Sequence, residues 1–259
     1  MSTSALEPSR GGGTVPVHNA LVQAVGGYLR NVIRQPEITC RVCAAPVGGF
    51  DRCWRCEQAR HIVGVADVVV PLMYAIAGTP SGALVRDYKN HPVRRVRERH
   101  SAVAKELVWL GISRHERCIG RATGPPVSRR LVIPSLTSRA GQHPFLQLAR
   151  TMDAVSDAVA LVPAPDARCD RVINDKFVLQ PATRLDGQHV LILDDVWTTG
   201  SNAQSAALAV RRAGAAAVSV MVVGRWLSPD RQLIADFVKA RLQRDYDPDI
   251  CPVTGGGCP

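Results

Sequence analysis

The sequence predicts an α/β fold, a parallel sheet flanked by helices, with a small cysteine-rich module ahead of it. Three observations predict this. Residues 190–193 (Val190, Leu191, Ile192, Leu193) form an unbroken apolar run, which suits a strand buried on both faces. Ala203, Ala206, Ala207 and Val210 then recur at helical spacing, and Gly214 supplies a C-terminal stop. Residues 218–223 form a second buried run and complete a strand–helix–strand unit. The composition agrees: 46% hydrophobic but only 5% aromatic residues suit Ala- and Val-rich α/β packing, and 259 residues can hold one sizeable domain plus a module.

The strand 190–193 runs into Asp194 and Asp195, followed by Val196, Trp197, Thr198, Thr199, Gly200, Ser201 and Asn202. Small hydroxyl residues at a helix start present backbone N–H groups, side-chain donors and a helix dipole to an anion. The paired acids stand where vicinal sugar hydroxyls could be held. A plain helix cap needs one acid, not two followed by Thr-Thr-Gly.

In chain order, residues 1–16 are Ser, Gly and Pro rich and read as a disordered tail. Leu21, Val22, Val25, Leu29 and Ile33 trace one helical face over residues 17–35. Cys40, Cys43, Cys53 and Cys56 make two CxxC pairs within a module at 36–62. This spacing favours a tetrahedral, structural zinc site over two disulfides or buried free thiols. Residues 63–245 read as the main domain. Residues 64–77 carry one or two strands. Thr79-Pro80 opens a helix reaching Lys89, which reads as a solvated surface lysine. A basic helix covers 93–117, and 120–126 reads as a loop. A strand at 131–133 enters a polar turn containing Ser135, Thr137 and Arg139. A helix at 144–155 and a strand at 158–162 follow. A long segment at 163–181 contains Arg171 and Lys176. The chain leaves the sheet after Val223, a last helix spans 230–242, and 246–259 is a C-terminal tail. That tail contains Cys251 and Cys258, a second metal site or a docking segment, with too few ligands of its own to close a site.

Net charge is +10, which favours phosphate-rich partners. No apolar run reaches the ~18–20 residues of a membrane span, so no membrane partner is expected. The N-terminus has no signal-peptide core, and a cytoplasmic location is the expectation.

The apolar strand, the two acids, two intervening residues and Thr-Thr-Gly resemble the phosphoribosyl-pyrophosphate (PRPP) motif of type I phosphoribosyltransferases. Trp197 and Asn202 depart from its usual residues. A four-cysteine knuckle, an α/β connection and this motif in the C-terminal third are together similar to the ComF family over about residues 36–226. After the pyrophosphate loop that family often has Arg-Gly-Phe-Asn, whereas this chain has Arg139-Ala140-Gly141-Gln142.

The resemblance implies a type I phosphoribosyltransferase-like sheet and transfer of ribose 5-phosphate from Mg²⁺–PRPP to a nitrogen nucleophile. Asp194 and Asp195 would hold the ribose hydroxyls, and Thr198, Thr199, Gly200 and Ser201 the 5-phosphate. Ser135, Thr137, Arg139, Arg171 and Lys176 would face pyrophosphate. The alternative it implies is a non-catalytic PRPP or nucleotide binder acting in DNA uptake (competence), with single-stranded DNA as a partner. A homodimer is left open. The implied cofactors are structural Zn and Mg brought with PRPP.

Overall fold

The computed structural model describes residues 21–23, 25–136, 143–156 and 158–259. Among these, four strands form one parallel sheet in the order β1-β6-β5-β2. They are β1 (Val68–Ile76), β2 (Arg129–Val132), β5 (His189–Trp197) and β6 (Ala217–Leu227). A separate antiparallel pair joins β3 (Ala160–Pro163) to β4 (Phe177–Gln180). The helices are α1 (Trp54–Ala59), α2 (Pro80–Asn90), α3 (Arg94–Thr123), α4 (Pro144–Arg150), α5 (Ser201–Arg212) and α6 (Gln232–Arg241). The mixed α/β architecture, with a parallel sheet flanked by helices and a four-cysteine cluster ahead of it, is as anticipated.

The pleat of β5 explains the layering. Alternate residues point to opposite faces. Leu191 and Leu193 join one core with Leu84 of α2, Leu107 and Ile119 of α3, and Phe145 of α4. Val190 and Ile192 join another with Ala203, Ala206, Ala207 and Val210 of α5, Phe177 of β4, and Cys40, Cys43 and Cys56. Both faces of the strand are therefore dry, which is why its sequence shows no polar alternation. The alanine face of α5 lets the helix lie close on the sheet. A third cluster seats α6 through Phe237 against Tyr74, with ring centroids 5.6 Å apart in an edge-to-face arrangement.

Several boundaries differ from the sequence reading. The helix anticipated over 17–35 ends early, because a 3₁₀ turn at Gly26–Tyr28 leads into extended backbone at Leu29. The segment after it runs beside β1, where Tyr74 N–H donates to the Arg30 carbonyl at 3.0 Å. Apolar residues spaced for a helix face here serve an extended segment instead. The disordered-tail expectation for 1–16 lies outside the described residues. The basic helix runs on through 120–123 and stops at Gly124, whose φ of 100° ends the turn. The helix at 144 stops at Arg150 rather than 155. Part of the long segment 163–181 is strand β4. The chain does not leave the sheet after Val223: β6 continues to Leu227, with Gly224 opposite Met73 and Trp226 opposite Ala75. A Cβ at Gly224 would sit 2.8 Å from Ala75 Cβ and 3.1 Å from Val85 Cγ1. That glycine lets α2 approach the sheet and does not mark a turn.

Candidate functional site

The carboxyl end of a parallel sheet is where α/β folds hold ligands. Here an open cavity of about 240 Å³ lies beyond β5. The sheet supplies Asp194 and Asp195, and the β5–α5 loop supplies Thr198, Thr199, Gly200 and Ser201. The turn after β2 adds Ser135, α2 adds Lys89, and His143 and Cys169 also line it.

The loop has a local physical cause. Gly200 has φ +82° and ψ 0°, a left-handed conformation that disfavours any side chain. A Cβ there would fall 2.2 Å from Cζ2 of Trp197, so the indole packs directly beneath it. Trp197 is buried and joins the core. Gly200 is also the N-cap of α5, with no side-chain cap, so the helix start faces the cavity bare of a covering side chain. Ser201 N–H reaches Thr199 Oγ1 at 3.4 Å. The beginning of the loop is held by Arg225, whose buried guanidinium donates to the carbonyls of Trp197 (2.8 Å), Thr198 (3.0 Å) and Trp226 (2.8 Å).

The two acids are not equivalent. Asp195 is buried and accepts from Tyr88 Oη at 2.6 Å and from Lys89 Nζ. Lys89 is therefore not a solvated lysine, and the ion pair ties α2 to the end of β5. The fit of α2 depends on Gly82, where a Cβ would meet the Ile76 carbonyl oxygen at 2.2 Å. Asp194 is half-buried, and its Oδ1 accepts the Asp195 backbone N–H at 2.8 Å. Burial, and next the neighbouring Asp195 charge, push the Asp194 carboxyl well above the usual carboxylate range; the hydrogen bond from the Asp195 backbone N–H, and then Lys89, pull it partly back.

The other sequence-derived site residues fall in different places. Ser135 lines the cavity. Thr137 and Arg139 lie outside the described residues. Lys176 is buried within the fold: its Nζ donates to the Asp170 carbonyl at 2.7 Å and Asn202 Oδ1 at 3.2 Å, and pairs with the Asp170 carboxylate at 3.0 Å. It holds the Asp170 carboxyl below the usual range. Ser201 Oγ donates to the same Asp170 carbonyl at 3.2 Å, so this segment is strapped to the start of α5. Arg171 is exposed and lines a neighbouring groove of about 610 Å³, with Thr198 and Thr199 on one side and Arg52, Trp54 and Arg55 of the cysteine module on the other. Sequence reasoning left Tyr88, Lys89 and Arg225 out of the site, because each acts through a partner on another element.

Cys40, Cys43, Cys53 and Cys56 bring four sulfurs within 4.8 Å of one another. Cys43 and Cys53 Sγ atoms are 3.7 Å apart. A tetrahedral ion with Zn–S bonds of about 2.3 Å has sulfur–sulfur edges of about 3.8 Å, whereas a disulfide needs about 2.05 Å. The cluster thus fits a four-thiolate metal ion. The Cys43 thiol is held well below its ordinary value, first by its hydrogen bond with Cys40 and then by those with Cys53 and Cys56.

No protein-family model matches this chain, and no curated protein matches it. Among solved structures there is a likeness to a purine phosphoribosyltransferase from Pyrococcus horikoshii Ot3. That protein is 16% identical, with a TM-score of 0.25, and the match covers 48% of this chain and 90% of that one. At that level of similarity the functional reading rests on the site alone. Among the described residues, no helix is long and apolar enough to cross a membrane.

Proposed function

We propose that this protein binds Mg²⁺–PRPP and transfers its ribose 5-phosphate to a nitrogen nucleophile, releasing pyrophosphate, as a ComF-like phosphoribosyltransferase. The observation that carries this reading is the shared cavity of Asp194 and the loop 198–201 at the carboxyl end of β5. A 5-phosphate fits the uncapped start of α5, where Thr198, Thr199 and Ser201 add hydroxyl donors. Asp194 lines the same cavity, where it could hold the ribose hydroxyls of a phosphate seated on that loop. Asp195, already held by Tyr88 and Lys89, acts by positioning the end of β5. Lys89 lines the same wall but is paired with Asp195, so the two together add no net charge there. Catalysis of this kind is mainly positional and electrostatic, so few side chains act as acid or base. Mg²⁺ brought with the substrate would supply charge to offset that of the leaving pyrophosphate. The four thiols of the N-terminal cluster would hold Zn²⁺ as a structural ion.

Calorimetric titration with Mg²⁺–PRPP tests the reading. Saturable binding is expected for the zinc-loaded chain and should be lost in Asp194→Asn with Thr199→Ala. Pyrophosphate release is expected in the presence of an accepted base. Absence of any PRPP binding by the folded chain overturns the reading.

A second reading, a PRPP or nucleotide sensor that contacts single-stranded DNA, is favoured by the groove beside the loop. Phe50 and Trp54 there are 69% and 66% exposed, and the Arg55 guanidinium lies 4.9 Å from the Trp54 ring. Arg52, Arg171 and Arg231 line the same groove. Exposed aromatics between arginines offer stacking and phosphate contacts together. PRPP binding without turnover, combined with a steeply salt-dependent affinity for oligonucleotides, would select this reading.

A further inference from the structure

We propose that the C-terminal tail closes a second structural zinc site, formed by His115 and Cys118 of α3 with Cys251 and Cys258 of the tail. His115 and Cys118 lie one turn apart and so share a face of α3. Their ligand atoms, together with the two tail sulfurs, all lie within 4.8 Å of one another. Three of the four residues are buried; Cys258 is exposed.

The spacing is that of a coordination sphere. Cys258 Sγ lies 3.5 Å from His115 Nδ1. In a tetrahedron with Zn–N of about 2.0–2.1 Å and Zn–S of about 2.3 Å, that edge is about 3.6 Å. The tail is folded as a knuckle around its two cysteines. Cys251 N–H donates to the Gly256 carbonyl at 2.8 Å, Gly255 N–H donates to the Cys251 carbonyl at 2.7 Å, and Thr254 Oγ1 donates to the Gly257 carbonyl at 2.8 Å. Gly255, with φ +81°, presses on Arg34, where a Cβ would come within 2.7 Å of Arg34 Cβ. The knuckle is thus seated on the body before any ion is considered. A histidine in the set argues for a metal rather than a disulfide, since imidazole nitrogen is a zinc ligand and has no part in sulfur pairing. Four protein ligands leave no open position, so the ion would staple the tail to α3 and take no part in chemistry. Binding deprotonates the three thiols, and the protons pass to solvent.

Native mass spectrometry of the full chain purified under reducing conditions tests this directly. Two zinc ions per chain are expected, falling to one in Cys251→Ser with Cys258→Ser; the ion retained by the first cluster reports that the variant is folded. One zinc in the wild-type chain, two in the variant, or a Cys251–Cys258 disulfide in the reduced preparation overturns the proposal. Should the variant fail to fold, cadmium-113 NMR of the wild-type chain decides. Two resonances are expected, one in the four-sulfur range and one upfield in the three-sulfur, one-nitrogen range. A four-sulfur signal alone overturns the site.

Discussion

Lys89 Nζ donates to Asp195 Oδ2, so that one residue of the acidic pair is neutralised by a helix that lies more than a hundred residues earlier in the chain. The lysine side chain is 18% exposed and the aspartate 7%, so the pair sits largely out of water. Removing one partner of such a pair strands the other charge, at about 3 kcal/mol. Lys89→Met should lower stability by roughly that amount, and Lys89→Met with Asp195→Asn should recover most of it. Urea unfolding of the two variants measures the difference. Equal losses in both would show that the pairing is not what matters.

Asp194 should have the opposite sign. Its carboxyl is pushed above its unfolded value, so the folded state holds the proton more tightly and the ionised group opposes folding at neutral pH. The stability it contributes is full below the unfolded carboxylate pKa and is lost as pH rises through the folded one. Asp194→Asn is therefore expected to raise the melting temperature at pH 7, with the gain shrinking toward pH 4. It should abolish PRPP binding at the same time, a trade of stability for function. A variant that is less stable at pH 7 would contradict this.

Local features of this site were legible in the sequence and tertiary ones were not. The run 190–193 declared a strand with two dry faces, and the Asp-Asp and Thr-Thr-Gly residues declared its end and the turn into the next helix, because both signals lie within one short window. Tyr88 and Lys89 gave no such signal: an amphipathic helix often ends in a lysine, and only the packing of α2 on β1 through Gly82 brings them to Asp195. Arg225 was misread for a related reason. Gly224-Arg225 looks like the end of a strand, yet the glycine admits α2 and the arginine finds three carbonyls. His115 and Cys118 are equally silent, since their partners lie more than a hundred residues away in the tail. Lys176 was legible as a cation but not as a buried one strapping Asp170 to α5.

Gly200 carries two separate demands, a left-handed backbone and contact with the Trp197 indole. Gly200→Ala would incur about 1–2 kcal/mol for the backbone and a further ~1–3 kcal/mol for overpacking. Loop displacement is the expected relief, so PRPP affinity should fall at least tenfold even where the fold survives. Trp197→Leu combined with Gly200→Ala removes the clash but keeps the backbone penalty, and should regain part of the stability. Calorimetry and thermal unfolding on these two variants and the unaltered chain separate the contributions. No difference between the single Gly200→Ala variant and the double would mean that the indole contact is not limiting.

Arg225 should couple the cysteine module to the β5–α5 loop. Its guanidinium is buried, and it holds the Trp197 and Thr198 carbonyls. The nearby Cys43, Cys53 and Cys56 supply the negative charge that sustains a cation in this position against the cost of burial. Arg225→Lys keeps the charge but is a shorter, more flexible side chain, whose single nitrogen would have to sit where the arginine Nη1 now meets all three carbonyls. Thr198 should then lose its anchor while the four-thiolate cluster keeps its ion. The expected outcome is unchanged zinc content at the first site, a melting temperature lower by several degrees (about 2–4 °C for each kcal/mol at this chain length) and weakened PRPP binding. Arg225→Met, which leaves the carbonyls unpaired and removes the countercharge, should be worse on both counts. Metal analysis beside calorimetry checks the split. Loss of zinc in Arg225→Lys would place the arginine's role in the cluster itself, and full PRPP affinity in that variant would show that the loop does not need its anchor.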